Sequence, residues 1–410
     1  MKVTWVLGRV PTFRAFRYRS FRLLWFSAFL WSTGTWMQQL AMGWLMLKLT
    51  SGSASYTAAT FAVRSLPYLL LGVFAGAVAD RMSRKGLLIL VHLASALVSF
   101  LTAALVAQGL IDPWLILTIS FIYGALQTIS MPPRQALVYD IVDKEDTMNA
   151  LALNTMGMRF MSVVGALVAG LTMETIGIAS SFLIMGVTYL PGIVALYLIP
   201  SLERGSLRDP ESVFRKTVAG LRYIVTNQIT ATLLILAIAV ETFAFSYRVV
   251  VPIFADTLLK VAASGYGYLT AASGVGALLG TLLLASLGNF HYKGWLIMGI
   301  SLFFGLFLLG FSASSWFWLS LLLVMGVGMT SASFDAMQHI LLQQNVPDQM
   351  RGTVLGAWLV SVGVGPVGMM YLGLAADWMG APLALAINGA VVVVISLAVI
   401  LALPRLRALR

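Results

Sequence analysis

Long apolar runs separated by short polar turns dominate the chain, and hydrophobic residues outnumber charged ones at almost every point along it. The runs fall at 21–47, 54–80, 87–108, 113–139, 148–174, 178–200, 229–256, 263–287, 294–312, 315–343, 351–377 and 381–403. Each is long enough, as a helix, to cross a hydrocarbon core ~30 Å thick. The pattern predicts an all-α membrane protein with twelve transmembrane helices. Only residues 201–228 break the rhythm, as a polar linker in which Ser212–Tyr223 is weakly amphipathic. This divides the chain into a basic segment 1–20, six-helix bundles at 21–200 and 229–403 joined by the linker with its surface helix, and a basic tail 404–410.

The two bundles echo each other. Gly72 and Gly76 stand 204 residues before Gly276 and Gly280, and Trp114 and Gly124 stand 204 before Trp318 and Gly328. Gly165, Gly170 and Gly177 stand 203 before Gly368, Gly373 and Gly380. Six crossings return the chain to its starting side, so the copies are parallel repeats about an axis along the membrane normal. A polar cavity between them is the expected substrate site.

Composition agrees: 60% of residues are hydrophobic, 10% charged, and mean hydropathy is +0.92. With no cysteine, disulfides and thiolate sites are excluded. The net charge of +11 is topological. With both termini cytoplasmic, twenty Lys and Arg lie inside, two (Lys48 and Lys260) outside and four within spans. No nucleic-acid partner is implied; the bilayer is the partner, and the basic N-terminal segment could touch anionic lipid. HExxH, GxSxG and filter-like patterns are missing, so neither an enzyme nor a channel is indicated.

Charges inside spans are costly, which makes them functional candidates. Arg64, with Gln38 and Gln39 at a similar depth, Arg159, Glu241 and Arg248 are expected near the midplane. Glu241 is the first candidate for proton or substrate binding, and an ion pair with Arg64, Arg159 or Arg248 is its alternative. A continuous helix would put Arg248 on the same face as Glu241. Asp335 and His339, at i and i+4, form a second candidate pair. His92 is expected to be a packing residue. Trp36, Gln38, Gln39, Tyr123, Gln127, Phe243, Phe245 and Tyr247 are cavity candidates suited to an amphiphilic, partly aromatic substrate. No metal site or cofactor is expected, and nothing demands more than a monomer.

Residues 76–86, GAVADRMSRKG, resemble the loop 2–3 signature of the major facilitator superfamily, Gly-x-x-x-Asp-Arg-x-Gly-Arg-Lys. Gly76, Asp80, Arg81, Arg84 and Lys85 are in register, and Ser83 replaces the usual Gly. The resemblance implies a gate in which Asp80 reaches the start of the eleventh helix near Arg351-Gly352. Local phrasing is similar to the enterobactin-exporter and macrolide-efflux group of bacterial exporters. It is carried by residues 21–54, by LPYLLLGVFAGAVADRMSRKGLL at 66–88, by MPPRQALVYDIV at 131–142, and by MRGTVLGAW and GPVGMMYLGLAADWMG after 350. This implies proton-coupled efflux of a siderophore, macrolide or similar amphiphile across the bacterial cytoplasmic membrane. Lipid translocation between leaflets, or a non-transporting sensor, are the competing readings. Antiporters of the superfamily often carry Gly-Pro in helix five; here that site reads Gly165-Ala166, and Gly365-Pro366 stands in helix eleven.

Overall fold

A computed structural model describes residues 11–81, 83–200, 227–288, 290–346 and 363–402, with backbone only at 11, 72–81 and 402. Twelve long helical segments run through them: α1 (Arg19–Leu49), α2 (Ala54–Arg81), α3 (Arg84–Ala107), α4 (Pro113–Ile141), α5 (Thr147–Thr175), α6 (Ile178–Tyr197), α7 (Gln228–Phe243), α8 (Ala263–Ser286), α9 (Lys293–Ser312), α10 (Phe317–Asn345), α11 (Gly365–Met379) and α12 (Ala381–Ala402). Among the described residues there are no strands, and nine helical stretches are long and apolar enough to cross a membrane. This is an all-α, multi-pass membrane protein. The predicted surface helix at 212–223, the first part of the eleventh span and the basic tail lie outside the described residues.

Helix ends follow local chemistry. Asp112 caps α4 by accepting a 2.8 Å bond from the Leu115 N–H, and Pro113 occupies the first turn, where its missing N–H costs nothing. Asn227 caps α7 through the Thr230 N–H, and Ser83 caps α3 through the Gly86 N–H. The turns after α5 and α11 depend on Gly177 (φ +88°) and Gly380 (φ +86°), a left-handed backbone that a side chain would strain. Along the helices, hydroxyls bond back to carbonyls one turn earlier, as Ser95, Ser99 and Thr102 do in α3, so no polar group there faces lipid unmated. Large apolar side chains such as Leu97 and Trp378 point outward, 69% and 85% exposed, as a lipid-facing surface requires.

Predicted and observed helix ends agree closely, with one physical exception. The seventh span is not continuous. After Phe243 it tightens into a 3₁₀ turn (Phe245–Val249), passes through Val251–Ile253 and widens into a π turn (Phe254–Leu258). Pro252 explains part of this, because it has no N–H to offer the Arg248 carbonyl. The same-face relation expected of Glu241 and Arg248 therefore does not follow from α-helical spacing.

Helix pairing repeats with a shift of six. α1 packs on α4, α5 and α6 as α7 packs on α10, α11 and α12, and α3 packs on α4 and α6 as α9 packs on α10 and α12. The register is less uniform than the glycines suggest. α2 and α8 begin 209 residues apart, at Ala54 and Ala263, so Gly72/Gly76 and Gly276/Gly280 are not equivalent positions. The chain forms two compact units: Met1–Leu49, Val63–Leu207 and Ala263–Ala271, and Thr50–Ala62, Arg208–Ala262 and Ala272–Arg410. The start of α2 thus groups with the second unit and the start of α8 with the first.

Candidate functional site

In the first unit, α1, α2 and α4 bring together three predicted residues. Arg64 donates to the Gln38 side-chain oxygen and, at 2.5 Å, to that of Gln127. The arginine is 8% exposed and Gln38 fully buried. Gly124 of α4 makes this possible, since a Cβ there would strike the Arg64 carbonyl. Tyr123 is buried and shares a 2.7 Å bond with Ser99. Gln39 is half-buried, and Trp36 is packed on α5 at Gly165, whose Cβ would stand 3.0 Å from that of the tryptophan. Arg159 is half-buried, with no carboxylate paired to it among the described residues. His92 is satisfied: Nδ1 donates to the Leu88 carbonyl, and Ser27 lies 3.1 Å from Nε2.

In the second unit the break in α7 sets the geometry. Asn388 of α12, fully buried, donates to the Phe243 carbonyl (3.0 Å) and the Ser246 hydroxyl (3.1 Å), and that hydroxyl itself donates to the Phe243 carbonyl at 3.2 Å, so the three groups close a small network across the break. Glu241 lies one turn before the break, half-buried, and the charges acting on it come from Asp335 of α10 and from Arg248. No direct ion pair joins Glu241 to Arg64, Arg159 or Arg248 among the described residues. Its Oε2 lies 3.8 Å from where a Cβ of Gly365 would be, so the glycine of the Gly365-Pro366 pair leaves that side of the carboxylate uncovered. His339 is half-buried on α10. The aromatic candidates have packing partners: Phe243 meets Tyr371 edge-on, Phe245 is buried against Phe304 and beneath the Arg248 guanidinium, and the Tyr247 hydroxyl lies 2.8 Å from Ser273 Oγ. Tyr247 and Ser273 stand 209 residues after Gln38 and Arg64, so the repeat places a polar pair at matching positions.

Of the signature motif, the side chains of Gly76, Asp80 and Arg81, and Arg351 entirely, lie outside the described residues. Arg84 pairs with Asp140 at 2.5 Å. Lys85 donates to the Tyr197 (2.8 Å) and Ile199 carbonyls, where it closes the C-terminus of α6. The basic N-terminal segment is also engaged. Arg14 pairs with Asp146, Arg17 with Asp143 and Asp146, and the Tyr18 hydroxyl donates to Asp143 at 2.6 Å.

Two carboxylates that the sequence pattern leaves at span ends have a shared role. Asp377, at the end of α11, accepts from the backbone N–H groups of Ala54 (2.6 Å) and Ser55 (3.0 Å) and from Ser53 Oγ (3.1 Å), so one helix end caps the start of α2. Glu174, near the end of α5, accepts from the Ser264 N–H at the start of α8 (3.1 Å). Each cap sits one turn beyond a glycine, Gly373 or Gly170, where the backbones of the paired helices touch. The signal was available: Glu174 and Asp377 follow the 203-residue offset of the glycines. A cavity of roughly 300 Å³ in the second unit, among Leu287, Phe290, Lys293, Met337 and Gln344, holds none of the predicted site residues. No cluster of metal-ligating side chains occurs among the described residues.

Known proteins share this architecture. Solved structures of the nucleoside transporter NupG (TM-score 0.77, 14% identity, 93% of this chain and 99% of that one) and of a D-xylose-proton symporter (0.69, 13%, 95% and 98%) have the same fold. In sequence, the chain is 25% identical to a staphyloferrin A transporter of Staphylococcus aureus, over 86% of this chain and 89% of that protein. It is 27% identical to the enterobactin exporter EntS of Escherichia coli, over 71% and 69%. The family described as transmembrane secretion effectors matches residues 10–409. A helix-pairing pattern that recurs after six helices and a family match over residues 10–409 have one meaning: the protein belongs to the transmembrane secretion effector family of major facilitator transporters.

Proposed function

We propose that this chain exports an amphiphilic small molecule, of the siderophore or macrolide kind, by alternating access coupled to proton entry. The observation that carries the reading is the half-buried Glu241 carboxylate, one turn before a helix break, open on its Gly365 side and within electrostatic reach of Asp335 and Arg248. A proton taken up by either acid removes the repulsion between two like charges held in a poorly solvated place. The adjoining 3₁₀ and π turns are a natural point for that change to bend α7. Support for the substrate class comes from the two siderophore-transporting relatives. The charge asymmetry supports an orientation with both termini inside, and the two bacterial relatives support a bacterial cytoplasmic membrane location.

Reconstituted vesicles test the reading. With an imposed proton gradient, wild-type protein should move enterobactin or erythromycin against its concentration, and Glu241→Gln should abolish the gradient-driven part. Uptake driven equally by a sodium gradient would refute proton coupling. Absence of movement under either gradient would refute export.

A further inference from the structure

Arg134 is the buried charge that the foregoing account leaves unused. It lies on α4 directly after Pro132-Pro133, is 5% exposed, and neither Nη1 nor Nη2 has a hydrogen-bond partner. Its guanidinium stands 5.3 Å from the centre of the Trp31 ring. Trp31 in turn packs against His92 (4.8 Å) and Tyr189 (5.4 Å), so the arginine is roofed by an aromatic ring that its neighbours hold in place.

The described carboxylates of the first unit are spoken for. Asp140 holds Arg84, Asp143 and Asp146 hold Arg17 and Tyr18, Asp112 caps α4, and Glu174 caps α8. Glu145 is exposed on the turn before α5. Among the described residues, nothing anionic faces Arg134. Arg64 is likewise paired with neutral amides alone.

Position adds a second observation. Gln127 and Arg134 are seven residues apart on α4, and Gln38 and Trp31 are seven apart on α1, so two levels ~10 Å apart lie along the packed α1 and α4 faces. The upper level holds Arg64 between Gln38 and Gln127; the lower holds Arg134 against Trp31. Because Arg64 can only donate, it fixes the Gln38 oxygen toward itself, and Gln38 Nε2 is left as a buried donor without a partner. Among the described residues, three orphaned donors along these faces are opposed by a single orphaned acceptor of the unit that cannot itself donate, Asn154 Oδ1 on α5. Buried donors in such surplus call for acceptors brought from outside.

Resting on the exporter reading above, we infer that Arg134 is the receptor for a carboxylate of the transported molecule, held end-on by Nη1 and Nη2 beside Trp31. A guanidinium presents a planar fork that matches a carboxylate with two parallel bonds. One fork with no second cation at its level balances a single negative charge, which favours a carboxylate over a phosphate dianion. The aromatic roof suits an apolar or aromatic body attached to that carboxylate.

Calorimetric titration of the full-length protein in detergent micelles tests this, with 2-naphthoate as probe, its neutral isostere 2-naphthamide as control and inorganic phosphate as a second anion. Wild type should bind naphthoate at least about tenfold more tightly than naphthamide, the scale of one charge-assisted bidentate contact. Arg134→Gln should reduce naphthoate to the naphthamide level, and Arg134→Lys, which keeps the charge and loses the fork, should fall between. Without ligand, Arg134→Gln should leave the melting temperature unchanged or higher, because it removes a buried unpaired charge. Equal binding of naphthoate and naphthamide, unaltered naphthoate binding in Arg134→Gln, or phosphate binding in place of naphthoate would each overturn the assignment. So would a fall in melting temperature that Lys rescues without restoring any preference for naphthoate. Failure of the exporter reading has a different signature: no gradient-driven movement of any compound, with Arg134-dependent naphthoate binding intact.

Discussion

The carboxylate of Asp377 accepts a 2.6 Å hydrogen bond from the backbone N–H of Ala54, tying the last turn of α11 to the first turn of α2. Removing it by Asp377→Ala leaves two backbone donors and one hydroxyl without their acceptor. Loss of such a cap costs about 1 kcal/mol, and up to about 2 where the end is partly buried. The natural absence of cysteine makes the measurement direct. A cysteine placed at Ser55 should react with a hydrophilic maleimide several-fold faster in the Asp377→Ala background. An unchanged rate would show that the cap does not hold this end closed.

Gly170 and Gly267 pack backbone to backbone. A Cβ on Gly170 would stand 2.9 Å from both the Ala263 oxygen and Gly267 Cα. Neither neighbour is a flexible side-chain end, so α5 and α8 must part. Gly170→Ala is expected to lower stability by about 1–3 kcal/mol, seen as a lower melting temperature. Gly299→Ala, where nothing lies within 4 Å, is the control and should melt like wild type.

Asn388 holds the break in α7. Asn388→Leu keeps the branching at Cγ and removes both amide bonds, leaving the Phe243 carbonyl with the Ser246 hydroxyl alone, a loss of about 1–3 kcal/mol. Ser246→Ala removes one of the two bonds and should cost less. If the two variants melt alike, the break is held by packing rather than by this amide.

Arg84 and Asp140 are 31% and 23% exposed, so their 2.5 Å ion pair is screened by solvent. Its coupling, measured by a double-mutant cycle on Arg84→Gln and Asp140→Asn, should be below about 1 kcal/mol and shrink in high salt. Lys85→Met is expected to cost more than Arg84→Gln, because it strips two carbonyls at the end of α6 of their donor. The reverse order would count against this account of the motif.

Tyr18 anchors the N-terminal segment with a neutral phenol. Partial burial raises its pKa above 10.0, and donation to Asp143 raises it further. A raised pKa means that the neutral form is favoured by folding. The contribution is therefore complete below pH 10 and is lost as pH rises through the elevated value. Tyr18→Phe should cost about 1 kcal/mol or less at neutral pH, by the same amount at pH 6 and pH 8. A difference between those two values would place the titration elsewhere.

Hydrophobic run length determined most of the fold. A bilayer demands about twenty apolar residues per crossing and lets no unmated backbone into lipid, so the described span ends could be read from the chain to within a few residues, though not the break inside the seventh. The shared depth of Arg64 and Gln38 was legible too, since depth along a helix follows from counting residues, whereas their bond and the part of Gln127 in it were not. What counting could not supply was direction around each axis and the identity of the neighbour. Glu174 and Asp377 stand at span ends with no role assigned by the sequence, and gain one only because the helix starts at Ser264 and Ala54 lie beside them. Arg134 read as one arginine among four until every described acid of its unit had another engagement or an exposed place on a turn. The break in α7 is bridged by Asn388, 145 residues beyond Phe243, which adds a second donor to that carbonyl. Burial and spacing are local properties and so are written in the sequence; the partner of a buried polar group lies on another helix, and only the packed chain decides which.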